Sequence, residues 1–151
     1  MLFTACNEDK LGISNGNIPE GGQIHRFTQL TDANYEEFLA KTPGLILMDF
    51  YADWCGPCRM MDPEMVKLKS KMGDKIEIVK IDVDKNPAAS QKFKVRGIPA
   101  LFLYKDGELK DAGTGYRSEE QLFAFVSKWL DKEETNKEKE TDKKETEEEK
   151  E

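Results

Sequence analysis

Between Gln23 and Leu130 the apolar positions follow two rhythms, and outside those limits they follow none. Leu45–Ala52 (LILMDFYA) is apolar except at Asp49 and follows Pro43-Gly44, which marks it as a strand buried on both faces. Ile76–Val83 (IEIVKIDV) is a second, β-branched strand. Pro99 opens a third, Ala100–Tyr104, at a position where a missing backbone donor is tolerable. Asp106-Gly107 signals a tight hairpin into an antiparallel partner, Glu108–Thr114, and Ile24–Leu30 fits a short edge strand at the front.

Helical spacing fills the gaps. Thr31 offers an N-cap for a helix with the stripe Tyr35, Phe38 and Leu39, ended by Pro43-Gly44. A second helix, from about Cys58 to Met72, carries Met61, Met65 and Leu68 on one side, with a kink expected at Pro63. Asn86-Pro87 predicts a cap and first-turn proline for a short helix through Phe93. Ser118 with Gln121 forms a capping box for a last helix with the stripe Leu122, Phe125, Val126, Trp129 and Leu130. The order βα, βαβα, ββα implies an α/β fold: a mixed central sheet with helices on both faces.

Charge divides the chain differently. Of the net charge of −7, the last 21 residues carry −5, with 6 Lys against 11 acidic residues and no apolar side chain. The expected organisation is therefore a tether over residues 1–22, a folded domain over 23–130, and a charged, mostly disordered tail over 131–151. This pattern excludes a second domain, a membrane-spanning protein and a nucleic-acid binder working through a strongly basic surface.

Three cysteines are too few for a disulfide scaffold, and they split into a pair, Cys55 and Cys58, and a lone Cys6. Two cysteines separated by Gly56-Pro57 at a helix start can bond to each other. The first also feels the free amides and the positive end of the helix dipole, which favours thiolate. Cys55 is thus the candidate nucleophile and Cys58, one turn deeper, the candidate resolving thiol. Gly56 permits close approach by another chain, and Pro57 sets the first turn without losing a hydrogen bond. A structural zinc would need four ligands, and beyond the pair the chain offers only Cys6 and His25, so no metal is expected.

Asp49–Cys58 (DFYADWCGPC) resembles the active-site region of the thioredoxin family, and the resemblance extends over about residues 23–130. Lys80 in IVKIDVD is similar to the family's buried strand lysine. Arg96–Leu101 (RGIPAL) is similar to its cis-proline loop, and the Asp106–Glu108 turn with Gly115 to its closing hairpin. The resemblance implies a thioredoxin fold and reduction of protein disulfides with no cofactor beyond the Cys55–Cys58 pair. Its partners would be disulfide-containing proteins and an electron donor, either a flavin-dependent thioredoxin reductase or a membrane-borne reductant system, with the chain acting as a monomer. A disulfide oxidase or isomerase, or a non-catalytic interaction module on the same fold, are the competing readings.

Roles follow residue by residue from that resemblance. Asp49, whose burial in an apolar run should raise its pKa, would assist deprotonation of Cys58; the alternative is a solvated Asp at a strand end. Lys80 would pair with Asp49, or else face solvent. Trp54, Gly56, Pro57, Gly97, Ile98, Pro99 and Gly115 would form the substrate groove, with a cis bond before Pro99 and the backbone of Ile98 pairing with an extended substrate. Tyr51 stands where the family often has Trp.

Leu2–Cys6 (LFTAC) resembles the end of a bacterial lipoprotein signal, with Cys6 as the lipidated residue. Only five residues precede Cys6, fewer than a signal peptide needs, so this reading takes the signal to begin upstream of Met1. Residues 7–22 would then span roughly 20 to 24 Å as a tether, placing the domain in the cell envelope at a membrane surface. The alternative is an incidental thiol on a cytoplasmic protein.

Overall fold

Strand β2, Leu45–Tyr51, is buried at all seven positions and lies in the middle of a five-stranded sheet of order β1-β3-β2-β4-β5. The structure, a computed structural model, describes residues 27–130; residues 24–26 of the expected first strand, Cys6 with the tether, and the charged tail lie outside the described residues. Within it run β1 (Thr28–Leu30), α1 (Tyr35–Lys41), β2, α2 (Gly56–Met72) and a 3-10 turn (Gly73–Lys75). Then follow β3 (Ile76–Asp82), α3 (Pro87–Lys92), β4 (Ala100–Lys105), β5 (Glu108–Thr114) and α4 (Glu119–Ser127). The chain thus folds as the mixed α/β sheet that the element order implies. β1 and β2 run parallel to β3, while β4 runs antiparallel to both β2 and β5.

Alternation along the strands separates two cores. Leu45, Leu47, Ile76, Ile78, Leu101 and Leu103 pack against Met61, Met65 and Leu68 of α2 and Leu122, Phe125 and Val126 of α4. Ile46, Met48, Phe50, Val79 and Ile81 face the other way, against Tyr35 and Leu39 of α1 and Ala89 of α3. Glu64 of α2 accepts a hydrogen bond from the Glu119 amide (2.8 Å), tying α2 to the first turn of α4.

Helix starts differ most from expectation. The capping box of Ser118 and Gln121 is present. Helix α1, however, is entered through Asn34 rather than Thr31, because residues 31–34 close a turn in which Thr31 gives its amide to Asn34 Oδ1 (2.7 Å). Asn86 occupies the N-cap of α3 but makes no capping bond with its side chain. The Asp32 carboxylate does so from a distant loop, accepting from the amides of Ala88 (3.1 Å) and Ala89 (2.7 Å). Helix α2 begins two residues before Cys58 and continues through Pro63. At the hairpin, Asp106 and Gly107 both adopt positive φ (52° and 82°), the conformation a tight two-residue turn requires.

Candidate active site

Three loops meet at one end of the sheet because of how β2, β4 and β5 pair. Phe50, near the end of β2, lies opposite Ala100 at the start of β4, and Ala100 lies opposite Thr114 at the end of β5. The segment after β2 therefore sits beside the residues just before β4, and Gly115, just past β5, joins them. Gly115 takes φ +97°, a conformation that favours glycine, and donates its amide to the Pro99 carbonyl at 2.8 Å. The Ile98–Pro99 bond is cis.

Cys55 and Cys58 are joined as a disulfide, with their Cα atoms 5.3 Å apart. Cys55 is the N-cap of α2, and its Sγ accepts the Cys58 amide at 3.2 Å. A thiolate there would receive a helix-terminal donor and the dipole's positive end, both of which stabilise negative charge. Cys58 is 1% exposed and Cys55 4%, so both residues are buried and the second is the more enclosed. The pair packs with Tyr51, Ala52, Val83 and Ile98, and the Ile98 carbonyl oxygen lies 3.8 Å from Cys55 Sγ.

Behind the pair, between the sheet and α2, lies a charged cluster. Asp49 and Lys80 are direct neighbours across β2 and β3, both essentially without solvent exposure, with Nζ 3.6 Å from Oδ2. Lys80 is therefore buried rather than solvent-facing, and Asp49 is interior rather than at a wet strand end. Its carboxyl is pushed up to about 7, chiefly by burial, against the attraction of the Lys80 ammonium. The ammonium also hydrogen-bonds Asp62 Oδ1 on α2 and lies 4.2 Å from the centre of the Tyr51 ring.

The remaining groove residues form the rim. Trp54 is 67% exposed beside Cys55, and its indole N–H donates to Asp84 Oδ2 at 2.8 Å. The space over Gly56 is open, Pro57 occupies the first turn of α2, and Gly97 is exposed with Thr114 alongside. Two contacts that sequence reasoning missed are Asp62 and Asp84. Asp62 stands four residues after Cys58, the spacing that puts two side chains on one helix face; Asp84 belongs to the turn after β3, and no local spacing links it to Trp54. Cys6 lies outside the described residues.

Comparison with known proteins gives a consistent result. The thioredoxin family model matches residues 26–128. A thioredoxin of Bacillus subtilis is 43% identical over 102 residues, 67% of this chain and 98% of that protein. One of Listeria monocytogenes is 41% identical over 102 residues, 68% of this chain and 97% of its own length. One of Rhodospirillum rubrum is 41% identical over 98 residues, 65% and 94% of the two chains.

Proposed function

The chain belongs to the thioredoxin family and is a thiol–disulfide oxidoreductase that reduces protein disulfides, and from that premise we propose how its residues divide the work. The Cys55 thiolate attacks one sulfur of a substrate disulfide; a Cys55–substrate bond forms as the substrate's S–S bond breaks, releasing one substrate thiolate. Asp49 takes the Cys58 proton, and the Cys58 sulfur attacks Cys55. The Cys55–Cys58 bond forms, the mixed disulfide breaks, and the second substrate thiolate leaves. Two electrons have passed to the substrate, and a reductase partner returns the pair to the dithiol.

The observation that carries this assignment is the Cys58 amide on Cys55 Sγ at the start of α2, which favours negative charge on the first sulfur, while Cys58 is the more enclosed residue. Trp54, Gly56, Pro57, Gly97, Ile98, Pro99 and Gly115 border the substrate, with the Ile98 backbone pairing to an extended segment. Lys80 offsets the charge that Asp49 acquires when it ionises. Cys55→Ser should bring insulin reduction to background, and Cys58→Ser should accumulate mixed disulfides on Cys55. Retained turnover in Cys55→Ser, or capture through Cys6 instead, would reverse the assignment.

The same proposal places the domain at a membrane surface of the cell envelope, anchored by an acylated Cys6 and acting as a monomer reduced by a membrane-borne donor. The LFTAC sequence and the sixteen residues after it, which include four Gly and three Asn, support the anchor. Acylation would also remove the odd cysteine. The native protein should partition into detergent and Cys6→Ala into water; an unmodified Cys6 in the aqueous phase would favour the cytoplasm.

A further inference from the structure

Lys80 stands between two carboxylates of unlike surroundings. Asp49 opposes it within the sheet and is wholly buried, whereas Asp62 reaches it from α2 with 27% of its side chain exposed. The ammonium is hydrogen-bonded to Asp62 but stays 3.6 Å from Asp49, and neither Asp49 oxygen accepts a hydrogen bond from the described residues. One buried cation therefore serves two anions, and its closer partner is the outer one. That matters because a buried carboxylate ionises only as far as its surroundings compensate the charge.

We infer that Asp62 is a positioning residue for thiol–disulfide exchange: it competes with Asp49 for the Lys80 ammonium, holding it by a hydrogen bond from the α2 side, and so keeps the buried carboxylate basic enough to take up the Cys58 proton. This rests on the reading of Asp49 as the acceptor of that proton. Asp62 acts in two ways with one sign. It ties up the cation that would otherwise stabilise the Asp49 carboxylate, and its own negative charge opposes ionisation of Asp49. The arrangement also fits the order of groups along α2, since Asp62 follows Cys58 by four residues and lies one turn further along the same face.

Each element packed around Asp49 can be assigned. β3 contributes Lys80, α2 contributes Asp62, and β4 places the uncharged Leu101 opposite. On Asp49's own strand, Tyr51 lies against the Lys80 ammonium, with Asp53 and Asp82 acting on Tyr51 from further out. Among these groups only Lys80 and Asp62 carry charges that act appreciably on Asp49.

The test is carbon-detected NMR titration of the Asp49 carboxyl in the full-length oxidised protein, where neither Cys55 nor Cys58 titrates. Asp62→Asn and Asp62→Ala should each move the Asp49 midpoint to lower pH, by about one pH unit, and Asp62→Glu should restore it. An unmoved midpoint in both variants overturns the inference, and so does a lowered melting temperature with the midpoint unchanged, which would mark Asp62 as merely structural. The premise is read separately: if Asp49→Asn leaves the pH–rate profile of the reduced enzyme unaltered, Asp49 is not the proton acceptor, whatever Asp62 does to its midpoint.

Discussion

The two faces of the sheet begin alike and end differently. On the face covered by α1 and α3, β2 presents Ile46, Met48 and Phe50, and β3, past the partly exposed Glu77 near its start, presents Val79 and Ile81. On the face covered by α2 and α4, the same strands present Leu45, Leu47, Ile76 and Ile78, and then turn polar with Asp49, Lys80 and Asp82. The polar half lies at the end of β2 that leads into Cys55. One layer is a hydrophobic core, while the other changes character toward the end of β2 that leads into the disulfide. Among the described residues, the buried ion pair of Asp49 and Lys80 lies on this second face, whereas the buried Tyr35 is the ionisable side chain of the first.

The sharpest way to break that division is to remove a ring from the apolar face. Phe50 is fully buried and meets Phe93 and Phe102 at ring-centre distances of 5.3 and 5.5 Å. Phe50→Ala leaves a cavity and should cost about 3–5 kcal/mol in denaturant unfolding. The rate of insulin reduction per folded molecule should stay near that of the parent, because no group of the charged cluster is touched. A rate that fell along with stability would mean the faces are not separable.

Legibility in the sequence followed the same division. Strand β2 stood out because both of its faces are apolar, and Asp49 stood out for the opposite reason, as the one charge inside that run. Lys80 was harder. In IEIVKID a lysine on an alternating strand suits either solvent or interior, and only the presence of α2 over that face decides it. Ser118 was readable as a cap because its partner, Gln121, is three residues away. Helix α3 is announced by Asn86-Pro87, but the side chain that caps it is not, since its amides are capped by Asp32 from 56 and 57 residues off. The start of α2 is hard to place from sequence for a chemical reason: its cap is a thiol sulfur, outside the usual set of capping side chains. Asp62 directly follows Met61, the first residue of the Met61–Met65–Leu68 stripe, where a carboxylate reads as an ordinary solvated side chain until β3 is seen to bring Lys80 beneath it.

The charged face makes a smaller but more diagnostic prediction. The Asp49 carboxyl, ordinarily near 3.8, is raised to about 7 by burial, so between those values the folded protein keeps a proton that the unfolded chain has released. The sign follows directly: this contribution to stability is fully present below the unfolded value and is lost as pH rises through the folded one. Between pH 5 and pH 7 it amounts to about 2 kcal/mol. Asp49→Asn keeps the shape and removes the ionisation, so the stability of the oxidised parent relative to this variant should fall by that amount over the same interval. Measured in the same way, Phe50→Ala should lower stability at both pH values and leave its pH dependence intact. A parent and an Asp49→Asn variant that ran parallel with pH would mean that Asp49 titrates as it does in water, and the two faces would then differ in composition but not in what they do with a proton.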